Sequence, residues 1–591
     1  MLIVPSYIEI KKQMNKFSIP QSISWRPTIV GSHYAVSCGH SLAAMAAARV
    51  LDQGGNAVDA GVTMAMALAV LQPDIVSFAG VAPTLVYEKS QSKVISLAGL
   101  GYWPQATDIT QLKEHGNGSI PIGIMRQIVP AAPATHMCAL REFGTISFEE
   151  AATPALELAR DGFAMYPELH DSLESHADTI ALFQENKNIF LSEGRPPAVG
   201  SRFKQMNLGN TIARMIQAER LSTGNRDKKL SAVHDFFYRG EIARQIDKFH
   251  RSHGGFMRFE DLANFEVPIE DPISCNYHGL DVYTCDVWCQ GIVLLLALKI
   301  LEPINLAEMG HNSTAYIHTI ASALNLAFGD REAWVGDPKF IDVPTRELLS
   351  IDHALKQMAR IDPNYAFSSL VDALAINGRQ APLADQLLPA QGKTPLAPDT
   401  IYGCVVDRHG NAYSVTPSDT MYDIPMIDGL GLAISSRGMQ GRLEPNHPCF
   451  VQPGKRPRLT PTPAIALRDG NFEMAWGTPG GDVQCASMLQ VLLNISHFEM
   501  SLQQAIESPR VAPFNFPNSF APNDYYPARL CVENRLPKST IQSLLQLGYD
   551  IEYWNEREYY AGAVCAIRCD QATGMLHAGA DPRRAAYALA W

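Results

Sequence analysis

The chain has no surplus of positive charge. Its 591 residues carry 48 Lys and Arg against 60 Asp and Glu, which gives a formal net charge of −12 and a pI near 5.8. No Lys- or Arg-rich block offsets this balance. Proteins that bind nucleic acid or anionic membranes need a basic surface, so the composition predicts neither kind of partner.

Long hydrophobic runs are also missing. The most apolar stretches, 60–71 and 291–301, are too short to span a bilayer and are typical of buried helices. The N-terminus, MLIVPSYIEIKKQMNKFSIPQ, lacks the long apolar core that follows the basic start of a secretory signal. We therefore expect no membrane segment, a cytoplasmic location, and a loosely ordered leader over residues 1–30.

The cysteines and histidines do not form metal-binding patterns. The eleven cysteines are scattered, and the two closest pairs, Cys285 with Cys289 and Cys565 with Cys569, are not spaced like zinc ligands. The pair His250-x2-His253 is an equally weak signal. We expect free thiols in a reducing compartment, no metal and no cofactor.

Thr400 is the most informative residue that is present. It follows a Pro- and Ala-rich stretch, 380–399, and precedes a strand pattern over 401–407 with a turn and a second strand-like run over 412–418. A cut before Thr400 would create an N-terminus with a hydroxyl nucleophile and its own α-amine as base. The alternative is that Thr400 has no catalytic role and simply begins a strand, as β-branched residues commonly do.

The rest of the chain predicts mixed helices and strands. Ser41 is expected to cap a helix that runs to Gln53, and residues 314–331 are expected to form an amphipathic helix. Strand pairs are predicted before and after Thr400, without strict alternation of strands and helices. This pattern indicates an α/β class with layered sheets.

Several ordered motifs resemble the γ-glutamyltransferase family. They include GGNAVDA at 54–60, AFGDR at 327–331, the segment 400–407, KRP at 455–457, the Gly-rich loop 477–481 and DPRR at 581–584. The resemblance extends from about residue 28 to residue 591.

The resemblance implies an αββα sandwich of the N-terminal-nucleophile hydrolase type. It implies a precursor that cuts its own Asp399–Thr400 bond, giving regions 31–399 and 400–591 that stay in one intertwined unit. Thr400 would then attack a small amide substrate, form an acyl-enzyme, and pass the acyl group to water or an amine.

The resemblance also implies roles for further residues. Gly480 and Gly481, with backbone N–H groups open to a substrate oxygen, would form the oxyanion hole; otherwise they are a turn before a helix. Ser418 would hydrogen-bond the nucleophile, or be a turn serine. Thr460 falls on one of two paired active-site hydroxyls, but Leu459 occupies the other position.

Departures from the family pattern concern the substrate. Leu100 stands where glutamyl-binding members have an Arg for the α-carboxylate, and Gln440 stands where they have an acidic residue for the α-ammonium. Arg437 replaces a neutral polar residue, and Thr420 replaces Asn. Glutamyl specificity is therefore doubtful, and Arg437 is a candidate anchor for a substrate carboxylate or, equally, an ion-pair residue.

Two functions remain open from the sequence. One is a self-processing Thr amidohydrolase or acyltransferase, and the other is an uncleaved, catalytically silent member with a binding or scaffolding role. A homodimer is possible in either case.

Overall fold

The computed structural model describes residues 24–381, 389–394 and 399–591. Residues 1–23 of the predicted leader therefore lie outside the described residues. Two parts of the Pro- and Ala-rich stretch before Thr400, 382–388 and 395–398, also lie outside them. The described piece of that segment is anchored, because the Thr394 hydroxyl donates to the Glu552 carboxylate at 2.8 Å.

Helices occupy both halves of the chain. They are α1 Ser41–Asp52, α2 Ala57–Leu71, α3 Ile109–His115, α4 Ala132–Phe143, α5 Phe148–Arg160, α6 Pro167–Ser175, α7 Ala177–Ile180, α8 Gln184–Phe190, α9 Met206–Leu221, α10 Arg226–Tyr238, α11 Glu241–His253, α12 Phe259–Ala263, α13 Ile292–Leu301, α14 Leu306–Met309, α15 Thr314–Trp334, α16 Thr345–Leu348, α17 Ile351–Met358, α18 Val483–Phe498, α19 Leu502–Glu507 and α20 Lys538–Gln546. Short 3-10 turns cover Ile124–Arg126, Arg437–Gln440 and Tyr559–Ala561.

The strands are mostly short. They are β1 Ile29–Gly31, β2 Ala35–Cys38, β3 Thr84–Glu88, β4 Lys93–Leu97, β5 Phe163–Ala164, β6 Arg202–Phe203, β7 Ile269–Glu270, β8 Ile273–Tyr277, β9 Leu280–Thr284, β10 Gly403–Val406, β11 Ala412–Val415, β12 Met426–Ile427, β13 Leu432–Ala433, β14 Ala464–Arg468, β15 Asn471–Gly477, β16 Val511–Pro513, β17 Arg529–Glu533, β18 Asp550–Trp554, β19 Cys565–Cys569, β20 Leu576–Ala580 and β21 Tyr587–Ala590.

Two seven-stranded antiparallel sheets form the centre of the molecule. One has the order β1-β20-β19-β15-β14-β9-β8, and the other has the order β21-β2-β10-β11-β3-β4-β7. Their facing side chains, among them Leu85, Cys404, Ile465 and Ile567, share one buried apolar cluster. The sheets therefore pack face to face.

Helices cover the outer face of each sheet. The outward side chains of β10 and β11, including Val405 and Tyr413, pack with α1 and α2. Those of β14 and β15, including Ala466 and Met474, pack with α13, α15 and α18. This gives four layers, helix–sheet–sheet–helix, and confirms the predicted αββα sandwich.

Each sheet contains strands from both sides of Thr400. β10, which follows Thr400, lies between β2, which precedes it, and β11. In the other sheet β14 pairs with β9 in the same way. A cut before Thr400 would therefore leave the fragments joined through paired strands and a shared core.

The GGNAVDA motif fixes the start of α2. Asn56 caps the helix and Asp59 completes a capping box, since Val58 and Asp59 donate backbone N–H groups to Asn56 and Asp59 accepts from the Asn56 N–H. The Asp407 carboxylate accepts the Ala57 N–H at 3.0 Å. The β10–β11 turn is thereby tied to the start of α2.

Two local predictions are wrong. His40, not Ser41, caps α1, because its Nδ1 accepts the Leu42 N–H at 3.2 Å and Ser41 already lies in the helix. Helix α15 is buried on nearly all sides rather than amphipathic, because it lies beneath other helices and the strand Val511–Pro513. Among the described residues, no helix combines the length and the apolar character needed to cross a membrane.

Candidate active site

Thr400 is fully buried and lies beside Ser418. The two residues form an isolated antiparallel bridge just before β10 and after β11. Their hydroxyl oxygens, Thr400 Oγ1 and Ser418 Oγ, are 2.8 Å apart. The structure thus brings together two of the residues that the sequence analysis selected, and Ser418 can receive the hydroxyl proton of Thr400.

The backbone carbonyl of Asp399 is held from two sides. Arg437 Nη2 donates to this oxygen at 2.7 Å, and the Ser418 hydroxyl donates to it at 3.3 Å. Arg437 also donates to Ser418 Oγ. A guanidinium and a hydroxyl on a carbonyl oxygen favour the negative charge that develops there when a nucleophile adds to its carbon.

Arg437 is fully buried and incompletely partnered. Its charge is opposed by the buried Asp419 carboxylate, with Nε 3.8 Å from Oδ1. Its Nε and Nη1, and Asp419 Oδ2, have no hydrogen-bond partner among the described residues. Spare donors in a buried site favour an anionic or carbonyl ligand.

The Asp399 carboxylate also has neighbours on both of its oxygens. Its Oδ1 accepts the Thr400 backbone N–H at 2.8 Å, and its Oδ2 lies 2.5 Å from Arg584 Nη1. The sequence analysis assigned no role to either side chain. Arg584 lies in the DPRR motif, which gave a signal of similarity but not of what the guanidinium contacts.

The Gly-rich loop has the backbone conformation that glycine allows. Gly480 and Gly481 have φ values of +119° and +55°, which residues with a Cβ rarely adopt. Helix α18 begins two residues later, so its N-terminal dipole adds positive character to the loop. Both glycines stay candidates for the oxyanion hole.

A cavity joins the loop to the cleavage site. It has a volume of about 280 Å³, and both Asp399 and Gly480 line it. Aromatic side chains of Phe514, Trp554 and Tyr560 form part of its wall. Glu552 and Glu558 line the same cavity, so its wall is partly apolar and partly acidic.

Arg331 and Asp482 anchor the Gly-rich loop. The fully buried guanidinium of Arg331 pairs with Asp482 at 2.5 Å, and Ser519 Oγ donates to the same carboxylate oxygen at 2.6 Å. Arg331 belongs to the AFGDR motif. The pair therefore fixes the residue that directly follows Gly481.

Replacing Arg331 with Met should destabilise the protein strongly. The change leaves the Asp482 carboxylate buried without its cation, which typically costs about 3–5 kcal/mol. Urea unfolding would measure the loss. Replacing the exposed Arg251 with Met serves as the control. An equally small loss of unfolding free energy in both variants would contradict the proposed role of the Arg331–Asp482 pair.

The remaining predicted residues occupy different surroundings. Thr420 donates to Asp423 at 2.9 Å and lies 3.1 Å from Ser436 Oγ. Gln440 donates to the Thr460 hydroxyl at 2.9 Å, so these two lie together, and Gln440 Oε1 has no partner among the described residues. Leu100 packs in the core between the sheets.

Asp74 is a buried acidic residue near Asp399, and the sequence analysis did not identify it. Burial raises its pKa to about 7, with smaller contributions from the charges of Asp399 and Glu168 and opposition from a hydrogen bond to Ser172. An unfolded Asp has a pKa near 3.9. Between these two values the folded chain binds more protons than the unfolded chain, so the contribution of Asp74 to stability falls as pH rises.

Asp74→Asn should therefore gain stability relative to its parent as pH rises from about 4.5 to about 7.5, by a few kcal/mol at most. Urea unfolding in a Thr400→Ala background keeps the chain uncleaved for this test. A difference between the two proteins that does not change with pH would contradict the assignment.

Comparison with known proteins identifies the family. The sequence pattern described as gamma-glutamyltranspeptidase matches residues 43–591. The chain belongs to this family. One relative, the glutathione hydrolase-like YwrD proenzyme of Bacillus subtilis (strain 168), is 29% identical over 570 residues, which cover 94% of this chain and 98% of the relative.

Other family members are named as acylases. The acylase ACY 1 proenzyme of Pseudomonas sp. (strain SE83) is 26% identical and covers 88% of each chain. The crystal structure of cephalosporin acylase from Bacillus halodurans superposes with a TM-score of 0.82 at 26% identity, over 97% of this chain and 99% of the other. The predicted resemblance is confirmed, and the chain is an amidohydrolase or acyltransferase of the N-terminal-nucleophile type.

Proposed function

We propose that the chain cuts its own Asp399–Thr400 bond and that Thr400 is then the nucleophile of an amidase or acyltransferase. This proposal rests on the contacts that surround that bond. The Thr400 hydroxyl lies against Ser418, while Arg437 and Ser418 donate to the carbonyl oxygen of Asp399. Relatives named as proenzymes support a precursor that is processed.

The self-cleavage begins with an acyl shift. Thr400 Oγ1 adds to the Asp399 carbonyl carbon, and Ser418 passes the hydroxyl proton to the carbonyl oxygen. The tetrahedral carbon then re-forms its carbonyl as the C–N bond breaks and the proton moves from the oxygen to the leaving nitrogen, which leaves an ester and a free α-amine. Water hydrolyses the ester, which releases the Asp399 carboxylate and restores the Thr400 hydroxyl.

The mature site uses the new N-terminus. An α-amine has a pKa near 7.7–8.0, so it can accept the Thr400 proton near neutral pH while the hydroxyl attacks an amide substrate. Backbone N–H groups of Gly480 and Gly481 would bind the developing oxyanion. The acyl-enzyme then gives its acyl group to water or an amine.

The substrate proposal follows from the missing glutamate anchors. The Leu100 side chain has no hydrogen-bond donor and lies in the core between the sheets, and the Gln440 side chain is neutral. A γ-glutamyl group would therefore lose two charge-assisted hydrogen bonds, each worth roughly 1.5–3 kcal/mol. Cleavage would release Arg437 from the Asp399 backbone carbonyl. We therefore propose a small acyl amide that bears a carboxylate within reach of Arg437.

A matched panel of amides tests this function. Each acyl group would be offered with and without a carboxylate, together with γ-glutamyl anilides and glutathione, and product release would be followed by chromatography. We expect kcat/KM to favour a non-glutamyl acyl amide with a carboxylate. A preference for γ-glutamyl compounds would overturn the substrate class but not the nucleophile.

A further inference from the structure

The carboxylate of Asp399 takes part in the bond that the precursor breaks. It belongs to the residue on the acyl side of that bond, yet its Oδ1 lies on the other side, 2.8 Å from the Thr400 nitrogen. The side chain is largely buried, with 7% of its residue surface exposed. Ser418 and Arg437 contact the carbonyl oxygen, whereas this carboxylate contacts the leaving nitrogen.

The leaving nitrogen needs a proton. An amide anion is a very poor leaving group, so the C–N bond of the tetrahedral carbon breaks only as the nitrogen becomes a neutral amine. The proton comes originally from the Thr400 hydroxyl and rests on the former carbonyl oxygen after the addition step. Some group must move it from that oxygen to the nitrogen while the carbonyl re-forms.

We propose that the Asp399 carboxylate carries this proton, and that Arg584 positions it. This inference rests on the proposed self-cleavage. In the tetrahedral intermediate the hydroxyl and the Thr400 nitrogen are bonded to the same carbon, so a carboxylate placed at the nitrogen can turn to either one. It takes the proton from the hydroxyl as the C=O bond re-forms, and gives it to the nitrogen as the C–N bond breaks. It begins and ends ionised, so the step consumes nothing and its products are the ester and the amine.

Arg584 holds the carboxylate from the side away from the bond. Its guanidinium donates to the Tyr559 carbonyl through Nε at 3.1 Å and Nη2 at 2.9 Å, and it stacks 3.7 Å from the centre of the Tyr559 ring. These contacts leave Nη1 for Asp399 Oδ2. Arg584 is thus a positioning residue that keeps Oδ1 directed at the nitrogen.

Among residues 24–381, 389–394 and 399–591, no other side-chain acceptor makes a hydrogen bond with the Thr400 nitrogen. The oxygen side of the bond is served by different groups. This division of contacts assigns the proton transfer on the nitrogen side to Asp399 rather than to Ser418.

Asp399→Asn is the most direct test. The amide has the same shape and can still accept the Thr400 N–H, but it cannot shuttle a proton. We expect self-cleavage, followed by intact mass after fresh purification, to slow by about a hundredfold or more. The exposed residue Asp428 provides the control, since Asp428→Asn should cleave at the wild-type rate.

Hydroxylamine separates a role in the acyl shift from a role in ester hydrolysis. It cleaves an accumulated ester directly, so it restores cleavage only if the shift has already occurred. We expect no restoration in Asp399→Asn. The inference would be overturned if Asp399→Asn cleaved itself at the wild-type rate, or if hydroxylamine restored its cleavage.

Arg584 variants guard against a folding artefact. Arg584→Lys keeps the charge and should cleave faster than Arg584→Gln, and adding Asp399→Asn to Arg584→Gln should slow cleavage little further, because both act on one step. Full additivity of the two effects would contradict the positioning role. If the wild-type protein does not cleave itself, the proposed self-cleavage is wrong. That outcome differs from one in which the wild-type protein and Asp399→Asn both cleave, which would contradict only the role of Asp399.

Discussion

Thr400→Ala should leave one uncleaved chain of 64.8 kDa with no measurable amidase activity. The change removes the hydroxyl that is proposed to add to the Asp399 carbonyl carbon, while Ser418 keeps its contact to that carbonyl. It also removes the nucleophile of the mature site. Both losses follow from one oxygen atom, so the effect should be complete rather than partial.

Thr400→Ser is the matched control for this prediction. It retains the hydroxyl and should still cleave and turn over substrate, at a reduced rate because the methyl group no longer fixes the side-chain rotamer. Intact mass and a chromogenic amide assay measure the two properties. Cleavage of Thr400→Ala at the same bond would contradict the assignment of the nucleophile.

Arg437→Met should have two separate consequences. It removes the guanidinium from the scissile carbonyl, and the loss of one such donor typically slows a reaction by about 10²–10³. In the fraction that does cleave, KM for a carboxylate-bearing amide should rise about tenfold or more, as expected for a lost charge-assisted hydrogen bond. Intact mass follows the first effect and steady-state kinetics the second.

The control for Arg437 is a substrate pair rather than a second variant. An amide that lacks the carboxylate should show the same KM with wild-type protein and with Arg437→Met. An unchanged KM for the carboxylate-bearing amide would remove the proposed anchor, while a wild-type rate of self-cleavage would remove the proposed role at the Asp399 carbonyl.

The sequence predicted the layered fold well, and it singled out Thr400 and Ser418, whose hydroxyl groups the structure brings together. Thr400 was singled out because a Pro-rich stretch ends there and a hairpin begins, whereas the role of Ser418 was implied by the resemblance to the γ-glutamyltransferase family. The Gly-rich loop was visible as glycines before a helix, and GGNAVDA was recognised as a family motif. The structure adds the physical reason for these residue types, which is positive φ in the loop and a capping box at the helix start.

Long-range contacts were not predictable in this way. Arg437 was identified as unusual, but nothing in its neighbourhood indicates that its guanidinium reaches a backbone carbonyl 38 residues earlier. Asp399 and Arg584 are separated by 185 positions, and their ion pair depends on the last strands returning to the second sheet. Burial of Asp74 likewise depends on helices from distant segments.

The most direct test of the account is the intact mass of freshly purified protein under denaturing conditions, with N-terminal sequencing of the smaller species. The account predicts two fragments, with the smaller one beginning at Thr400. A single species of 64.8 kDa that persists on long incubation would contradict it, and would favour a silent family member with a binding or scaffolding role.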